Sequence, residues 1–345
     1  MRANESLEAE LLKEQGLGFF TDFYVEAGRL DKAAPSYAYG NDTSLFDLAS
    51  LTKALVTAPL THHYVRTHGL TLSAPLALWA PGTWQKAFSS ELMELSAEAL
   101  LSHRAGLPAW RNFWMNHLSE DSVLSPQHCH PLIPETFRRL SDPPGPIDVY
   151  SDVGYILLGY ALEGARGQRL DEQWQSFLKP FAVSSSDLGF RPLLSDSPKA
   201  FVATGRCALR ERRLTGEVHD ENCAVLGGVA GHAGLFGRGP SLGRYLRQLS
   251  HSNEGLAFLR ANAEALTAHA YEGLSGLRRG SGRSAALFSG GKAMGHLGFT
   301  GTAFWLDLAS QRYAIFLTNR VISGRVNPHI TEVRRRVFGY LDELS

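Results

Sequence analysis

The hydrophobic positions of this chain are spaced as strands near both ends and as helices between them. Apolar residues that recur every three or four positions predict helices over residues 50–68, 153–165, 242–249, 255–268 and 330–344, and residues 5–15 are interpreted as a short polar helix. Runs rich in β-branched and aromatic residues predict strands over residues 21–26, 36–39, 285–288, 295–306 and 313–318. The order of these elements predicts one sheet built from both chain ends, with a helical insertion between them.

The composition argues against nucleic acid and anionic membranes as partners. Lys+Arg and Asp+Glu number 34 each, so the formal net charge is +0, whereas a domain that binds nucleic acid carries a basic surplus. The N-terminal residues lack the apolar segment of a signal peptide, and no apolar run is long enough to span a membrane. We therefore expect a cytoplasmic protein, and no obligate protein partner is evident.

The stretch from Leu45 to Val56 places a hydroxyl and an amine one helical turn apart. Ser50 and Lys53 are three positions apart, and residues at this spacing lie on the same face of a helix. A serine becomes a nucleophile when a neighbouring base takes its proton, and a lysine whose pKa is lowered by burial acts as that base or assists it. A single S-x-x-K match is weak evidence for a catalytic serine and lysine, but the apolar residues around this match predict that its helix is buried.

Two further motifs supply polar groups. In Tyr150-Ser151-Asp152, a tyrosine oxygen near a lysine can serve as general base, and Asp152 can orient Lys53 or a substrate amide. Asp152 is also suited to cap the helix that follows. In His296-Leu297-Gly298, the glycine lets a substrate backbone approach closely. We expect the main-chain N–H groups of Ser50 and Phe299 to form an oxyanion hole.

With these three motifs in order, the chain resembles the serine β-lactamase and penicillin-recognising superfamily, specifically its class C-like branch. Residues 100–108 and Thr318-Asn319-Arg320 are also similar to family segments. The resemblance implies an α/β (α+β) fold of the β-lactamase/transpeptidase type, in which helices flank an antiparallel sheet and an all-helical region is inserted. It implies an α/β sheet domain over 1–70 and 225–345, a mostly helical insertion over 71–224, and an active site at their interface.

The resemblance also assigns roles to site residues. Ser50 is expected to be the acylated nucleophile, Lys53 its proton partner, and Tyr150 the base for acylation and the acid for the leaving group. His296 stands where many relatives have Lys or His, and Leu297, Gly298 and Thr300 belong to the substrate wall. No cofactor is implied. The sequence His128-Cys129-His130 is interpreted as a loop feature, and no metal site is expected because neighbouring side chains on a loop seldom converge on one ion.

Residues 216–222 and 226–236 resemble more narrowly a subgroup that contains cytoplasmic muropeptide amidases. These enzymes split the bond between N-acetylmuramic acid and L-alanine. His219, Asp220 and His232 are therefore candidates to line the substrate site. The alternative is that they support the Gly-rich loop through hydrogen bonds.

Two departures from the family pattern bear on the substrate. Leu297 replaces a hydroxyl residue that helps to bind a substrate carboxylate, and a lost charge-assisted hydrogen bond costs roughly 1.5–3 kcal/mol. Asp152 stands where β-lactamases typically have Asn, a pattern closer to esterases and amidases. We therefore expect a serine hydrolase that cleaves an amide in peptidoglycan fragments through an acyl-enzyme, as a muropeptide amidase or a D-Ala carboxypeptidase. The alternatives are a broad-specificity carboxylesterase and a non-catalytic muropeptide-binding protein.

Overall fold

The structure, a computed structural model, describes residues 2–79, 88–113, 149–190, 201–207, 209–252, 278–279 and 293–345. The predicted helix over 255–268, the predicted strand over 285–288 and the His128-Cys129-His130 sequence lie outside these ranges. Within the described ranges, no helix is both long enough and apolar enough to cross a membrane.

A six-stranded antiparallel sheet with the strand order β2-β1-β11-β10-β9-β8 forms the centre of the fold. Its strands are β1 (Phe23–Arg29), β2 (Tyr37–Gly40), β8 (Arg278–Arg279), β9 (Met294–Leu297), β10 (Ala303–Asp307) and β11 (Arg312–Thr318). The first strand pairs with the last, with Phe23 opposite Thr318. The prediction of one sheet built from both chain ends is therefore confirmed.

The central strands are buried on both faces, and their side chains alternate between two hydrophobic cores. Val25 and Phe316 contribute to the smaller core, which includes buried residues of the N- and C-terminal helices α1 (Ala3–Gly16) and α9 (His329–Leu344). Tyr24 and Leu317 contribute to the larger core on the opposite face. Helix α9 buries Ile330, Val333, Val337, Phe338 and Leu341, the three-and-four spacing that predicted it.

The remaining helices belong to the larger core. They are α2 (Ala58–Thr67, preceded by a π-helical turn over Lys53–Thr57), α3 (Ser90–Met93), α4 (Ala97–Leu101), α5 (Asp152–Arg166), α6 (Leu170–Leu178), α7 (Glu221–Val225) and α8 (Gly239–His251). A three-stranded sheet joins β3 (Phe46–Asp47), β7 (Leu235–Gly237) and β4 (Leu188–Phe190), and a hairpin joins β5 (Arg206–Cys207) to β6 (Arg212–Arg213). An antiparallel sheet flanked by helices is the predicted fold class.

The expectation of one continuous strand over residues 295–306 is wrong, because this segment forms the hairpin of β9 and β10. The chain reverses over residues 298–302, where the Gly298 N–H donates to the Thr302 carbonyl at 2.7 Å and Gly301 has a φ of +111°. A Cβ on Gly298 would lie 2.0 Å from Thr302 Oγ1 and 2.8 Å from the Leu48 carbonyl oxygen. Glycine at this position therefore lets the turn pack against the segment that leads to Ser50.

Candidate active site

Ser50 lies in a sharp turn between β3 and the π-helical start of α2. Ala49, the residue before it, has the left-handed φ of +47°, which is uncommon for a non-glycine residue. Two bonds hold this conformation: the Ala49 N–H donates to Asp47 Oδ1 at 2.9 Å, and the Thr52 hydroxyl donates to the Ala49 carbonyl at 2.6 Å. The turn places Ser50 on the wall of a cavity of about 720 Å³.

Lys53 is fully buried directly behind Ser50. Its Nζ donates to Ser50 Oγ at 2.9 Å and to the His232 carbonyl at 3.1 Å, and forms an ion pair with Asp152 Oδ1 at 2.7 Å. These three partners match the three N–H donors of an ammonium group. The predicted i, i+3 approach of the lysine to the serine is present in the structure.

The charge of Lys53 differs from the expectation. Burial by itself lowers the pKa of the Lys53 ammonium, but the charge of Asp152 and the Tyr150 side chain together outweigh it, so that the pKa lies above its ordinary value. The expected lowering of the lysine pKa is therefore wrong for this structure. The reason is that the Asp152 carboxylate stabilises the charged form at close range. Lys53 is accordingly a hydrogen-bond donor and a fixed positive charge.

Tyr150 lies against Lys53 on the cavity wall. The Lys53 Nζ is 5.0 Å from the centroid of the Tyr150 ring, and the rings of His103 and His296 are 4.5 Å and 6.1 Å from it, centroid to centroid. His103 also accepts a hydrogen bond from the Ser151 N–H at Nδ1, at 2.9 Å. Sequence analysis assigned no role to His103, although it lies in a family-like segment, residues 100–108.

Asp152 does not cap α5. Ser151 is the N-cap, and its hydroxyl oxygen accepts from the Gly154 N–H at 3.0 Å. Asp152 is the first residue of the helix and directs its carboxylate to Lys53. The Ser151 hydroxyl in turn donates to the Pro108 carbonyl at 2.7 Å, so that the loop before α5 is fixed on both sides.

The Gly-rich segment brings His232 to the lysine. A Cβ on Gly231 would lie 2.0 Å from the Tyr155 carbonyl oxygen, so glycine is needed for the loop to pack against α5. The neighbouring His232 carbonyl accepts from Lys53, and His232 Nε2 bonds Asp220 Oδ1 at 2.8 Å. Of the three predicted residues of this region, His219 and Asp220 line the cavity, while His232 lies behind its wall.

Asp220 and Asp47 are carboxylates with opposite pKa shifts. Burial raises the pKa of Asp220, but the bond to His232 and the Cys223 N–H outweigh it, and the pKa falls to about 2. Burial dominates at Asp47 and raises its pKa to about 6, although the His219 and Ala49 N–H groups both donate to this carboxylate. Asp47 was not predicted, because it belongs to no motif and one of its two N–H partners, that of His219, is distant in sequence.

The turn after β9 supplies another part of the cavity wall. His296 is buried in β9, and its Nδ1 contacts the Leu297 carbonyl at 2.9 Å. The Thr300 hydroxyl donates to the Asp47 carbonyl at 2.7 Å, so this side chain joins the turn to β3. Among the described residues, the N–H groups of Ser50 and Phe299 donate to no protein acceptor, and both residues line the cavity.

Sequence analysis did not predict one aromatic residue and three arginines that line the cavity. They are Trp110, Arg320, Arg325 and Arg334. Arg320 belongs to the family-like segment that follows β11, which was the available signal. Arg325 and Arg334 belong to no recognised motif, and only the fold brings them close to the turn after β9.

The fold and the Ser50–Lys53 arrangement define a serine hydrolase. The chain belongs to the Beta-lactamase family, whose family model matches residues 31–337. It is 29% identical to an N-acetylmuramyl-L-alanine amidase of Bacillus subtilis strain 168, in an alignment that covers 84% of this chain and 72% of the relative. It is 27% identical to a putative D-alanyl-D-alanine carboxypeptidase of Escherichia coli K12, over 84% of this chain and 73% of the relative.

A solved structure shares the fold. The D-amino acid amidase from Ochrobactrum anthropi SV3, complexed with L-phenylalanine amide, superposes with a TM-score of 0.70 at 16% identity. The match covers 99% of each chain. The predicted β-lactamase/transpeptidase-like fold is therefore confirmed.

Proposed function

We propose that this chain hydrolyses an amide bond in peptidoglycan fragments through an acyl-enzyme on Ser50. The observation that carries the proposal is the 2.9 Å bond from the buried Lys53 Nζ to Ser50 Oγ, beside a cavity large enough for a small peptide or amino-sugar ligand. We propose amides as the substrates because the Bacillus subtilis relative is named as an N-acetylmuramyl-L-alanine amidase.

The proton route follows from the charge of Lys53. As an ammonium, Lys53 cannot take the Ser50 proton, so Tyr150 takes it in its phenolate form, which the nearby positive charge favours. Ser50 Oγ forms a bond to the substrate carbonyl carbon. The C–N bond then breaks, and Tyr150 returns the proton to the leaving amine. Water completes the cycle by cleaving the ester, which releases the acid and frees the serine.

Negative charge on the substrate oxygen is stabilised in this proposal by main-chain donors. The N–H groups of Ser50 and Phe299 are the candidates, because neither is used by an acceptor among the described residues. Asp47 fixes both sides of this arrangement: its carboxylate binds the Ala49 N–H, and its carbonyl accepts from Thr300. Donors that are held in place before the reaction need no reorganisation during it.

The proposal is tested by mass spectrometry of a purified muropeptide mixture after incubation with the enzyme. Separation of a sugar acid from an intact peptide identifies a muropeptide amidase, and loss of one D-alanine identifies a carboxypeptidase. The Ser50→Ala variant, which we expect to keep the fold, is the control and should leave the mixture unchanged. An unchanged mixture with the wild-type enzyme, together with hydrolysis of p-nitrophenyl esters, would instead favour the carboxylesterase. We also propose that the enzyme acts in the cytoplasm.

A further inference from the structure

Trp110 is an exposed aromatic side chain on the wall of the cavity that contains Ser50. It is 43% exposed, and among the described residues it belongs to neither hydrophobic core. A single exposed aromatic ring is ordinary on a protein surface. This ring, however, lines a concave site beside the nucleophile, where its apolar surface is open to a ligand.

The main chain on both sides of Trp110 is fixed by hydrogen bonds. On the N-terminal side, the Ala109 carbonyl accepts from the Asp152 N–H at 2.9 Å. Asp152 is also the residue that pairs with Lys53 at 2.7 Å. The loop that carries the indole is therefore joined to the ion pair behind Ser50.

On the C-terminal side of Trp110, Asn222 joins the loop to α7. The Asn222 Nδ2 donates to the Arg111 carbonyl at 2.8 Å, and its Oδ1 accepts from the Phe113 N–H at 3.0 Å. Asn222 is buried, at 1% exposure. An indole has only two rotatable bonds, so on a fixed main chain it loses little conformational freedom when a ligand binds.

Asp220 supplies a carboxylate to the same cavity, and the bonds of Asn222 keep the Trp110 loop beside the segment that carries it. The Asp220 Oδ1 accepts from the Cys223 N–H at 2.7 Å and bonds His232 Nε2 at 2.8 Å. Among the described residues, no donor reaches Oδ2, and the side chain is 26% exposed.

The charge of Asp220 determines what its open oxygen can bind. Burial raises the pKa of Asp220, but the interaction with His232 outweighs it and brings the pKa to about 2. The group is therefore ionised at neutral pH, and an ionised carboxylate only accepts hydrogen bonds. The ligand group that lies beside it is accordingly an O–H or N–H donor.

We propose that Trp110 and Asp220 form a subsite for the pyranose ring of an amino sugar in the substrate. An aromatic face carries partial negative charge, which attracts the C–H groups on the apolar face of a sugar ring. A carboxylate accepts charge-assisted hydrogen bonds from the hydroxyl or acetamido N–H groups of the same ring. An apolar peptide side chain would use the indole alone and leave the Asp220 carboxylate without a donor.

This inference rests on the proposed function and narrows its substrates. An amidase that cleaves between a sugar acid and a peptide holds the sugar acid as the acyl group on Ser50, so the sugar lies close to the nucleophile. A carboxypeptidase instead cleaves at the end of the peptide far from the sugar. A sugar subsite beside Ser50 therefore favours the muropeptide amidase over the carboxypeptidase.

The test measures binding without turnover. The Ser50→Ala protein is titrated by isothermal calorimetry with N-acetylmuramoyl-L-alanyl-D-isoglutamine and, separately, with D-lactoyl-L-alanyl-D-isoglutamine, which keeps the scissile amide but lacks the sugar ring. We expect the sugar-bearing ligand to bind roughly tenfold to a hundredfold more tightly, the range of one aromatic contact together with one charge-assisted hydrogen bond. Equal affinities of the two ligands, or no binding of the sugar-bearing one, would overturn the subsite.

The failure of the subsite and the failure of the proposed function give different results, because no bond is cleaved in the Ser50→Ala protein. Equal affinities together with hydrolysis of muropeptides by the wild-type enzyme would refute the subsite alone. A tenfold preference for the sugar without hydrolysis by the wild-type enzyme would refute the proposed function and support the subsite.

Variants assign the preference to the two side chains. In the Ser50→Ala background, Trp110→Ala and Asp220→Asn should each reduce the ratio of the two affinities at least severalfold. Trp110→Phe, which retains an aromatic face, should reduce it less. Asparagine at position 220 can still accept a hydrogen bond at the start of α7, so Asp220→Asn removes the charge and keeps the cap.

Val326→Ala is the matched control and should leave the ratio unchanged, because Val326 is 94% exposed and does not line the cavity. If Trp110→Ala fails to fold, Trp110→Leu, which keeps apolar bulk without an aromatic face, takes its place and should reduce the ratio similarly. An unchanged ratio in the folded Trp110 variant would exclude the indole as a sugar platform and overturn the subsite.

Discussion

The two walls of the cavity differ in the partners that their buried cations have. On the wall of Ser50, the Lys53 ammonium has three acceptors, including the Asp152 carboxylate 2.7 Å away. On the wall formed by the turn after β9, Arg320 and Arg334 have only carbonyl partners among the described residues. The difference indicates that the first wall is complete before substrate arrives, as preorganised catalysis requires, whereas the buried cations of the second wall have no carboxylate partner among the described residues.

The largest effect is expected when the charge of the first wall is removed. Lys53→Met leaves Asp152 without its cation and Ser50 without its donor, so turnover should fall roughly 10⁴-fold, the upper range for groups that manage protons. Initial rates with a muropeptide or an ester measure this loss. Lys13→Met, an exposed change on α1, is the control and should have no effect. Activity within tenfold of wild type would mean that the ion pair is structural only.

Tyr150→Phe removes the proposed base and keeps the ring that lies against Lys53 and His103. The rate of acylation should fall about 10²- to 10³-fold, with little change in the free energy of unfolding, because the ring contacts remain. Burst kinetics with a chromogenic ester separate acylation from deacylation. If only deacylation slows, the proton route through Tyr150 is assigned to the wrong step.

His219 links the two walls, since its N–H donates to Asp47 and its ring stacks on Phe299. Burial lowers the pKa of the His219 side chain from 6.5 to about 4. As the pH falls, His219 is therefore protonated in the unfolded chain at a higher pH than in the folded protein. The wild type should therefore lose about 2 kcal/mol of stability relative to His219→Gln between roughly pH 7.5 and 4.5. Urea unfolding of both proteins measures the difference.

Asp47 titrates in the opposite sense in that pH window. Its raised pKa of about 6 means that its contribution to stability is lost as the pH rises. Because Asp47 is present in both proteins, this contribution cancels in the comparison. A pH-independent difference between His219→Gln and the wild type would contradict a buried, neutral His219.

The sheet was predictable because its strands carry strong apolar patterns at the chain ends, and β1 does pair with β11. The hairpin of β9 and β10 was missed because Gly298 and Gly301 interrupt a run whose composition otherwise favours a strand. Its turn is set by contacts with Leu48 and Thr302, which no local pattern encodes.

The approach of Lys53 to Ser50 could be predicted from helical spacing, but the direction in which the pKa of Lys53 shifts could not. That direction depends on Asp152, which is about a hundred positions away in the sequence but whose carboxylate lies 2.7 Å from Lys53 Nζ in the fold. The contacts of Arg320 and Arg334 with the turn after β9 were also beyond prediction. These guanidinium groups donate to backbone carbonyls of a turn that is distant in sequence, and main-chain acceptors have no signature in the sequence.

The most direct test of the central claim is intact-protein mass spectrometry after rapid acid quenching of the enzyme with a slowly hydrolysed ester. The account predicts a mass increase equal to the acyl group, located by peptide mapping on the segment that contains Ser50 and missing in Ser50→Ala. Slow turnover of the ester with no covalent adduct at any quench time, or an adduct on another residue, would contradict an acyl-enzyme at Ser50.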